Sequence, residues 1–385
     1  MSEVSQELIR SAMAGKGLDA LVCALPMHVL MLTGYWPIMA NSIAIFTARE
    51  VELIVPADEV ENARAYTSIS LHAFEPAALD RLVNPVHAVT EPLIARLRAL
   101  GLEHARIGHE SEQFLQPASY LTMNLYNSAL AQCIEKVFPE VKLQSADRML
   151  EELKARKTER TLARLRRGCE VAKHAFLNGV KAIEPGYTER IVASLFELEH
   201  SRSCKGQPFD RVESFFFCMS GPNSGQADSA YARTRHRLID SGDLVMVHCN
   251  CSYDGWWTDI TRTFVAGAIR PEYQKMRDAI ARARDAALAA IRPGATGREV
   301  DRAARQVLER AGYGPNFTHG AGHGVGYAAA NPDGRPRIHP CSDDVLEEGM
   351  TFNLEPAIYF KGRYGMRHCD MVAITARGAE LLTDF

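Results

Sequence analysis

The chain repeats part of itself: Ala182-Ile183-Glu184-Pro185-Gly186-Tyr187-Thr188 returns 108 residues later as Ala290-Ile291-Arg292-Pro293-Gly294-Ala295-Thr296. Both copies end in a threonine, a residue type that caps helix N-termini because its hydroxyl accepts a hydrogen bond from a backbone N–H of the first turn. A glutamate follows in each copy, Glu189 or Glu299, as is typical of the first turn of a helix. Helices are therefore predicted to begin after Thr188 and Thr296.

A pair of strands is predicted behind each of these helices. Gly242-Asp243 precedes the apolar run 244–247, and Gly349-Met350 precedes its counterpart 351–354. Segments 259–264 and 370–374 have the composition of antiparallel partners. Turns are predicted at Tyr253-Asp254-Gly255 in the first pair and at Lys361-Gly362-Arg363 in the second. The second half of the chain is thus predicted to contain two pseudosymmetric halves, each a helix on a hairpin.

The repeat also aligns residues that can carry chemistry. It places His248 in register with Glu355 and Asp259 in register with Cys369, and the glycine-rich segment 320–324 adds His323. A carboxylate such as Asp259 in a β-branched strand is costly to bury unless a cation or metal balances it. Any one of these residues alone is more often a satisfied hydrogen-bonding group. Jointly, at repeat-related positions, they predict an active site with ligands suited to Zn, Mn, Fe or Co.

The first part of the chain has a different pattern. A helix is predicted over 4–16, followed by strands at 20–24, 42–46 and 51–55 that alternate with helices near 57–66, 89–100 and 117–133. This alternation is typical of an α/β layer domain, predicted over residues 1–145. One long charged helix is predicted over Ser145–His174, and its Lys154–Arg167 stretch is interpreted as a solvated face.

Composition bounds the class of protein. The 385 residues are 46% hydrophobic and 24% charged, with a net charge of −3, which is ordinary for a globular chain and gives no support to nucleic-acid binding. Nine cysteines lack the spacing of a disulfide framework. Neither a signal-peptide core in Met1–Gly17 nor a membrane-spanning apolar run is present. A reduced, cytoplasmic protein that binds neither nucleic acid nor membrane is expected.

Five segments resemble, in the expected order, the motifs of the pita-bread superfamily, in its branch of Xaa-Pro aminopeptidase, prolidase and creatinase. They are Ser220-Gly221-Pro222-Asn223-Ser224, Asp259–Phe264, His319–Gly326, Asn353–Tyr359 and Gly365–Val372. The resemblance implies an α/β creatinase/prolidase-type domain followed by an α+β pita-bread catalytic domain over 146–385, with the internal pseudo-twofold repeat. It further implies a homodimer that acts on a small-molecule or short-peptide substrate.

The same resemblance shows where this chain departs from the pattern of that superfamily. Family members with two metal ions use two Asp, one His and two Glu as ligands; Asp259, His323 and Glu355 match, whereas His248 and Cys369 replace an Asp and a Glu. Two accessory histidines are also replaced, one near Asp228 and the other near Ala330 or Asp333. His319 matches a substrate-side histidine, and Arg367 matches an arginine behind the ligands. Loss of two carboxylates removes charge that bridges two hard cations, and a thiolate favours zinc or iron over manganese.

The sequence is compatible with three functions. The first is a metal-dependent hydrolase of a peptide or amide C–N bond, with one divalent ion and Glu355 as ligand and proton acceptor. The second is a metal-free, creatinase-like hydrolase of a small amidine, guanidino or lactam compound, with His323 or His248 as base or Cys369 as nucleophile. The third is a non-catalytic binding module. His319 and Asp228 join Glu355 and His323 as candidate catalytic residues.

Overall fold

A computed structural model describes residues 4–38, 42–76, 79–80, 82–111, 127–228, 234–328 and 334–385. The described residues form two compact units, one that ends at Lys154 and one that runs from Ala155 to Phe385. All nine cysteines carry free thiols. In the described ranges no helix is both long and apolar enough to cross a membrane.

The first unit is a six-stranded mixed sheet with helices. The strands are Ala20–Cys23 (β1), Ile43–Thr47 (β2), Val51–Pro56 (β3), Ser70–Phe74 (β4), Arg106–His109 (β5) and Lys142–Ser145 (β6). Their order is β4-β3-β2-β1-β5-β6; the pairs β1–β2 and β2–β3 are antiparallel and the other pairs are parallel. The helices are Gln6–Lys16 (α1), Pro26–Thr33 (α2), Val60–Tyr66 (α3), Pro85–Ala99 (α4), Asn127–Val137 (α5) and Asp147–Ala155 (α6).

Apolar side chains of this sheet and of α4 form one core, which includes Val22, Ile45, Leu93 and Leu97. The predicted α/β layer and its three early strands are confirmed. The predicted helix over 117–133 lies in part outside the described residues; within them, α5 begins at Asn127.

The prediction of one long helix over Ser145–His174 is wrong. The chain forms α6 and then a second helix, Glu159–Gly179 (α7), with a break at Arg156-Lys157-Thr158. The break has a tertiary cause: the Lys157 N–H donates to Gly349 O at 2.7 Å, and Thr158 Oγ1 caps α7 by accepting from Thr161 N–H at 3.2 Å. The solvated-face interpretation also fails for Lys154 and Lys157, which are buried.

The second unit contains two similar halves. Its helices are α7, Glu189–Ser203 (α8), Pro271–Ala290 (α9) and Gly297–Arg310 (α10). Its strands are Val212–Ser220 (β7), Leu244–Tyr253 (β8), Trp256–Val265 (β9), Thr351–Leu354 (β10), Ala357–Phe360 (β11), Tyr364–Arg367 (β12), Asp370–Thr375 (β13) and Gly378–Leu381 (β14). One half pairs β7-β8-β9 and the other pairs β10-β13-β14, so the predicted internal repeat is confirmed.

Local signals placed the helix starts correctly. Thr188 Oγ1 accepts from Ile191 N–H, and Thr296 with Glu299 forms a capping box at the start of α10. The β8–β9 turn is tight because Asp254 and Gly255 both adopt positive φ, 52° and 89°, as this type of hairpin requires.

The second hairpin differs from the first in one respect. The turn 361–363 closes a separate short pair, β11–β12, and the ladder is interrupted between that pair and β10–β13. Pro356 lies at the interruption and has no N–H to donate, while its carbonyl accepts from His368 N–H at 3.2 Å. The regular ladder is therefore interrupted at Glu355 and Cys369, two positions at which the repeat predicts functional side chains.

Asp370 anchors the strand that follows Cys369. Its carboxylate is fully buried, accepts from Arg262 Nη2 at 2.7 Å and from Arg284 Nε at 2.5 Å, and also accepts from the Thr383 hydroxyl. Burial by itself would raise the pKa of Asp370, but the hydrogen bond from His368 and the nearby Arg262 guanidinium hold that pKa well below its usual value.

We expect Asp370→Ala to lower the free energy of unfolding at pH 7 by about 3–5 kcal/mol, because the buried guanidinium of Arg262 and the half-buried one of Arg284 lose their counter-charge. A depressed carboxyl pKa stabilises the fold above the unfolded-state pKa, so the difference from wild type should shrink as the pH falls below roughly 4. Urea unfolding at several pH values measures this difference in the free energy of unfolding. Asp285→Ala removes the exposed partner of the same Arg284 and serves as the control; equal losses for the two variants would contradict the assignment.

Candidate active site

The pairing register of β8 and β9 presents four polar side chains on one face of the sheet. His248 pairs with Thr261, and Asn250 pairs with Asp259. Because side chains alternate along a strand, residues two apart point to the same side. All four are buried, so this polar group lies within the domain and must find its partners there.

A glycine-rich loop brings His323 to this face. A Cβ at Gly322 would lie 1.8 Å from Asn353 O, so only glycine allows the loop to approach β10 this closely. The His323 N–H donates to Asn353 Oδ1 at 2.7 Å. From the other side Asp301, fully buried on α10, accepts from Ala321 N–H at 2.9 Å and holds the loop down.

Asp259 is the centre of the inner part of the site. Its Oδ1 lies 3.7 Å from His248 Nδ1 and its Oδ2 lies 3.8 Å from His323 Nε2. The Cys369 thiol donates to Asp259 O and Oδ1 at 3.4 and 3.5 Å. Burial raises the pKa of Asp259 to about 6, with His323 opposing and Glu355 reinforcing that rise.

His248 is a neutral imidazole with a defined tautomer. Asn250 Oδ1 faces His248 Nε2 at 3.2 Å, and since an amide oxygen only accepts, Nε2 carries the ring proton. His248 Nδ1 then accepts from the Thr261 hydroxyl at 2.9 Å, and that hydroxyl accepts in turn from Arg367 Nε at 3.1 Å. Burial, followed by the charge of Arg367, lowers the pKa of His248 well below its ordinary value, in agreement with the neutral form.

Cys369 is a neutral thiol. Burial raises its pKa well above the ordinary value, and the carboxylates of Asp259 and Glu355 raise it further. Its hydrogen bonds go to Asp259 and not to an imidazole. Since the thiolate and not the thiol is the nucleophile, the geometry does not support a cysteine-based mechanism.

A second, more accessible group of side chains lies beside the first. Glu355 has 14% of its side chain exposed, and its Oε2 is 3.8 Å from Arg367 Nη1. Arg367 Nη1 also donates to Tyr359 OH at 3.4 Å, and His319 Nε2 lies 3.1 Å from the same hydroxyl. His319 Nδ1 donates to Gly320 O at 2.7 Å, so Nε2 is the acceptor of the Tyr359 proton.

Asp228 is near this accessible group. Its Oδ2 accepts a hydrogen bond at 3.0 Å from the hydroxyl of Thr318, the residue that precedes His319 in the chain. Burial lowers the pKa of His319, while Glu355 and Asp228 act in the opposite direction. The structure thus places each residue singled out in the sequence in one neighbourhood: His248, Asp259, His323 and Cys369 in its buried part, and Glu355, His319, Asp228 and Arg367 beside it. The accessory positions Ala330 and Asp333 lie outside the described residues.

Sequence reasoning missed four neighbours of these residues: Asn250, Thr261, Asn353 and Tyr359. Two of them had a readable signal, since Asn250 and Thr261 stand two residues after His248 and Asp259 and must share their sheet face. Asn353 and Tyr359 had no comparable signal, because their roles depend on the approach of the 319–324 loop.

The chain belongs to metallopeptidase family M24, whose family model matches residues 163–376. The creatinase/prolidase N-terminal domain model matches residues 6–155. Together they confirm the predicted superfamily, its two-domain fold class and its hydrolase class.

Similar proteins align over the whole chain. The Xaa-Pro dipeptidase of Pyrococcus furiosus is 27% identical over 384 residues, which are 100% of this chain and 98% of that protein. The crystal structure of the prolidase from Pyrococcus horikoshii OT3 has a TM-score of 0.81 at 25% identity and covers 98% of this chain and 97% of its own. The X-Pro aminopeptidase from Thermotoga maritima MSB8, 22% identical with a TM-score of 0.81 over 99% and 97% of the two chains, shares the fold.

Membership of a metallopeptidase family supports a divalent metal for this class of protein. In this chain, however, no group of three or more His, Cys, Asp or Glu side chains is arranged to hold a metal ion within the described residues. The donor atoms are engaged elsewhere: both ring nitrogens of His248 have partners, Asn353 Nδ2 donates to His323 Nε2 at 3.2 Å, and Cys369 keeps its proton. Metal binding requires neutral imidazoles with a free lone pair and deprotonated thiols. In this arrangement the residues do not fit a metal ion.

The raised pKa of Asp259 leads to a stability prediction. A carboxyl whose pKa is higher in the folded than in the unfolded state destabilises the fold when ionised, and this cost grows from about pH 4 to about pH 6. We expect Asp259→Asn, in chelator-treated protein, to raise the free energy of unfolding at pH 8 by about 1–3 kcal/mol. The gain should vanish at pH 4. Denaturant unfolding across this range checks it, with Asp278→Asn on the exposed face of α9 as control; a loss of stability at pH 8 would contradict it.

Proposed function

We propose that this protein hydrolyses a C–N bond in a short peptide or peptide-like amide, and that its own side chains carry the proton transfers. One observation carries the proposal: the partly exposed Glu355 carboxylate lies beside the Arg367 cation, next to the buried Asp259. A carboxylate and a cation side by side are what addition of water to a carbonyl requires, since one group accepts a proton while the other stabilises negative charge.

The reaction can be written with these groups. Water forms a bond to the carbonyl carbon while its proton passes to Glu355, and the negative charge that develops on the carbonyl oxygen faces the guanidinium of Arg367. The C–N bond then breaks, and the leaving nitrogen takes the proton from Glu355. His248 is a poor base here because both ring nitrogens are occupied and its pKa is low.

The neighbouring residues receive supporting roles in this proposal. His319 and Tyr359 share a hydrogen bond, and Tyr359 OH accepts from Arg367 Nη1, so the pair orients the guanidinium. Asp259, with a pKa of about 6, lies between His248 and His323, where it can exchange a proton near neutral pH. Asp228 lies next to His319 and is proposed to face the substrate.

Short peptides are the substrate class that the relatives favour. Full-length relatives are named Xaa-Pro dipeptidases, and a dipeptide with proline on the leaving side is the first compound to test. A homodimer and a cytoplasmic location are proposed with it on the family resemblance and the composition.

A second candidate is hydrolysis of a small amidine, guanidino or lactam compound. The poor fit of the donor set to a metal ion favours it, because this candidate requires no metal. The negative charge of Asp259 and Glu355 would attract a cationic amidine, although Arg367 opposes this. Turnover of neither class would favour the third candidate, a binding module.

Glu355→Gln is the variant that tests the catalytic assignment. We expect it to lower kcat by about 10²- to 10⁴-fold with little change in KM, because the amide keeps the shape but cannot accept the proton. Mass spectrometry of a dipeptide mixture identifies the substrate, and steady-state rates follow. Glu347→Gln removes an exposed carboxylate from the same segment and should keep full activity; unchanged kcat in Glu355→Gln would remove Glu355 from the reaction.

Metal content tests the cofactor alternatives. The sequence left open one divalent ion, zinc or iron before manganese, or none, and the donor arrangement favours none. We expect elemental analysis of protein purified without added metal or chelator to give far less than one ion per chain, and turnover to persist in chelator. One zinc or iron ion per chain, lost together with activity, would instead establish a remodelled mononuclear site.

A further inference from the structure

Two buried N–H donors in the site region have no acceptor in the described structure. They are Nδ2 of Asn250 and Nη2 of Arg367, in side chains that are 1% and 5% exposed. A buried donor without a partner keeps the cost of its lost hydration, so a folded protein rarely keeps one without a use for it. Both unused groups are donors, which points to a ligand that brings acceptors.

The Asn250 amide lies at the end of a chain of hydrogen bonds, with its oxygen facing His248. Arg367 Nε donates to Thr261, Thr261 donates to His248 Nδ1, and His248 Nε2 donates to Asn250 Oδ1. The oxygen of the amide is therefore committed to His248. The nitrogen is left over, and its two protons are the ones without a protein acceptor.

Arg367 is left with an unused group for a similar reason. Its Nε is committed to Thr261, and its Nη1 faces Tyr359 OH and Ala227 O, both at 3.4 Å. Only Nη2 remains. The same guanidinium lies 3.8 Å from Glu355, the group proposed to accept the proton of water.

Charge selects the kind of acceptor. Asn250 lies directly opposite Asp259 in the ladder, and Glu355 lies beside Arg367, so a ligand anion would meet two carboxylates. An uncharged carbonyl oxygen meets no such repulsion, and it becomes negative only as water adds to its carbon.

We propose that Asn250 Nδ2 and Arg367 Nη2 are substrate-binding donors for amide carbonyl oxygens, with Arg367 Nη2 on the oxygen of the scissile bond. This inference rests on the proposed function for the identity of that bond. The two donors supply to the carbonyl group the polarisation that a metal ion would otherwise provide, which agrees with the poor fit of the site to a metal.

Two isosteres of the dipeptide Ala-Pro test the proposal without any turnover. In the ketomethylene isostere a ring CH group replaces the proline nitrogen and the carbonyl remains; in the ethylene isostere the carbonyl oxygen is absent as well. Calorimetry on the full chain should show the wild type binding the ketomethylene compound about 10- to 100-fold more tightly, as one or two well-placed hydrogen bonds give.

Asn250→Asp and Arg367→Lys separate the donors from the fold. Asn250→Asp keeps an acceptor for His248, removes both amide protons and adds a carboxyl group opposite Asp259. Arg367→Lys keeps the positive charge and removes Nη2 together with Nε, the donor to Thr261. Each should lose most of the preference for the ketomethylene compound, whereas Asn178→Asp, on the exposed face of α7, should keep it. Each variant is checked by thermal unfolding, and either one that folds decides the question.

The outcomes separate this inference from the proposed function. A preference in the wild type that persists in both site variants, equal binding of the two isosteres, or no binding of either overturns the inference. Selective binding that depends on Asn250 or Arg367, in a protein that hydrolyses no amide, supports the donors and overturns the proposed function.

Discussion

One short piece of antiparallel pairing joins the two halves of the second unit, and the site depends on it. Thr261 and Cys369 exchange two backbone hydrogen bonds, at 3.3 and 3.0 Å. The next residue, Arg262, is buried and donates to the carbonyls of Cys369 and Thr383 and to the carboxylate of Asp370. Because this pairing brings β9 beside the interrupted second hairpin, Asp259 and His248 from one half meet Cys369 and Glu355 from the other.

The chemistry of the site depends on the charged and neutral side chains that this junction brings together. His248 brings a neutral imidazole to this junction and Cys369 brings a protonated thiol, at positions where the family resemblance implies an Asp and a Glu. The buried guanidinium of Arg367 lies 3.8 Å from the Glu355 carboxylate. His248, His323 and Cys369 are each hydrogen-bonded to neighbouring side chains, and this network holds the imidazole and the guanidinium in fixed positions.

Predictions from the sequence succeeded where the cause is local. The caps at Thr188 and Thr296, the tight turn at Asp254-Gly255 and the apolar strands depend on neighbours a few residues away. The candidate site residues Asp259 and Glu355 could be singled out because the repeat and the family motifs both mark them, and His323 because the glycine-rich motif marks it. The single helix over 145–174 failed because its break depends on Gly349, almost two hundred residues further on, and helical periodicity carries no trace of such a partner.

The sequence by itself determined the family, the two pseudosymmetric halves and the identity of the side chains at the five candidate site positions, since spacing, capping and motif order are properties of the chain. Only the tertiary structure decided what those side chains do. The tautomer of His248, the protonated state of Cys369 and the free N–H groups of Asn250 and Arg367 depend on burial and on partners from distant segments. Hydrogen-bond direction and desolvation arise only when the fold brings these groups together and excludes water.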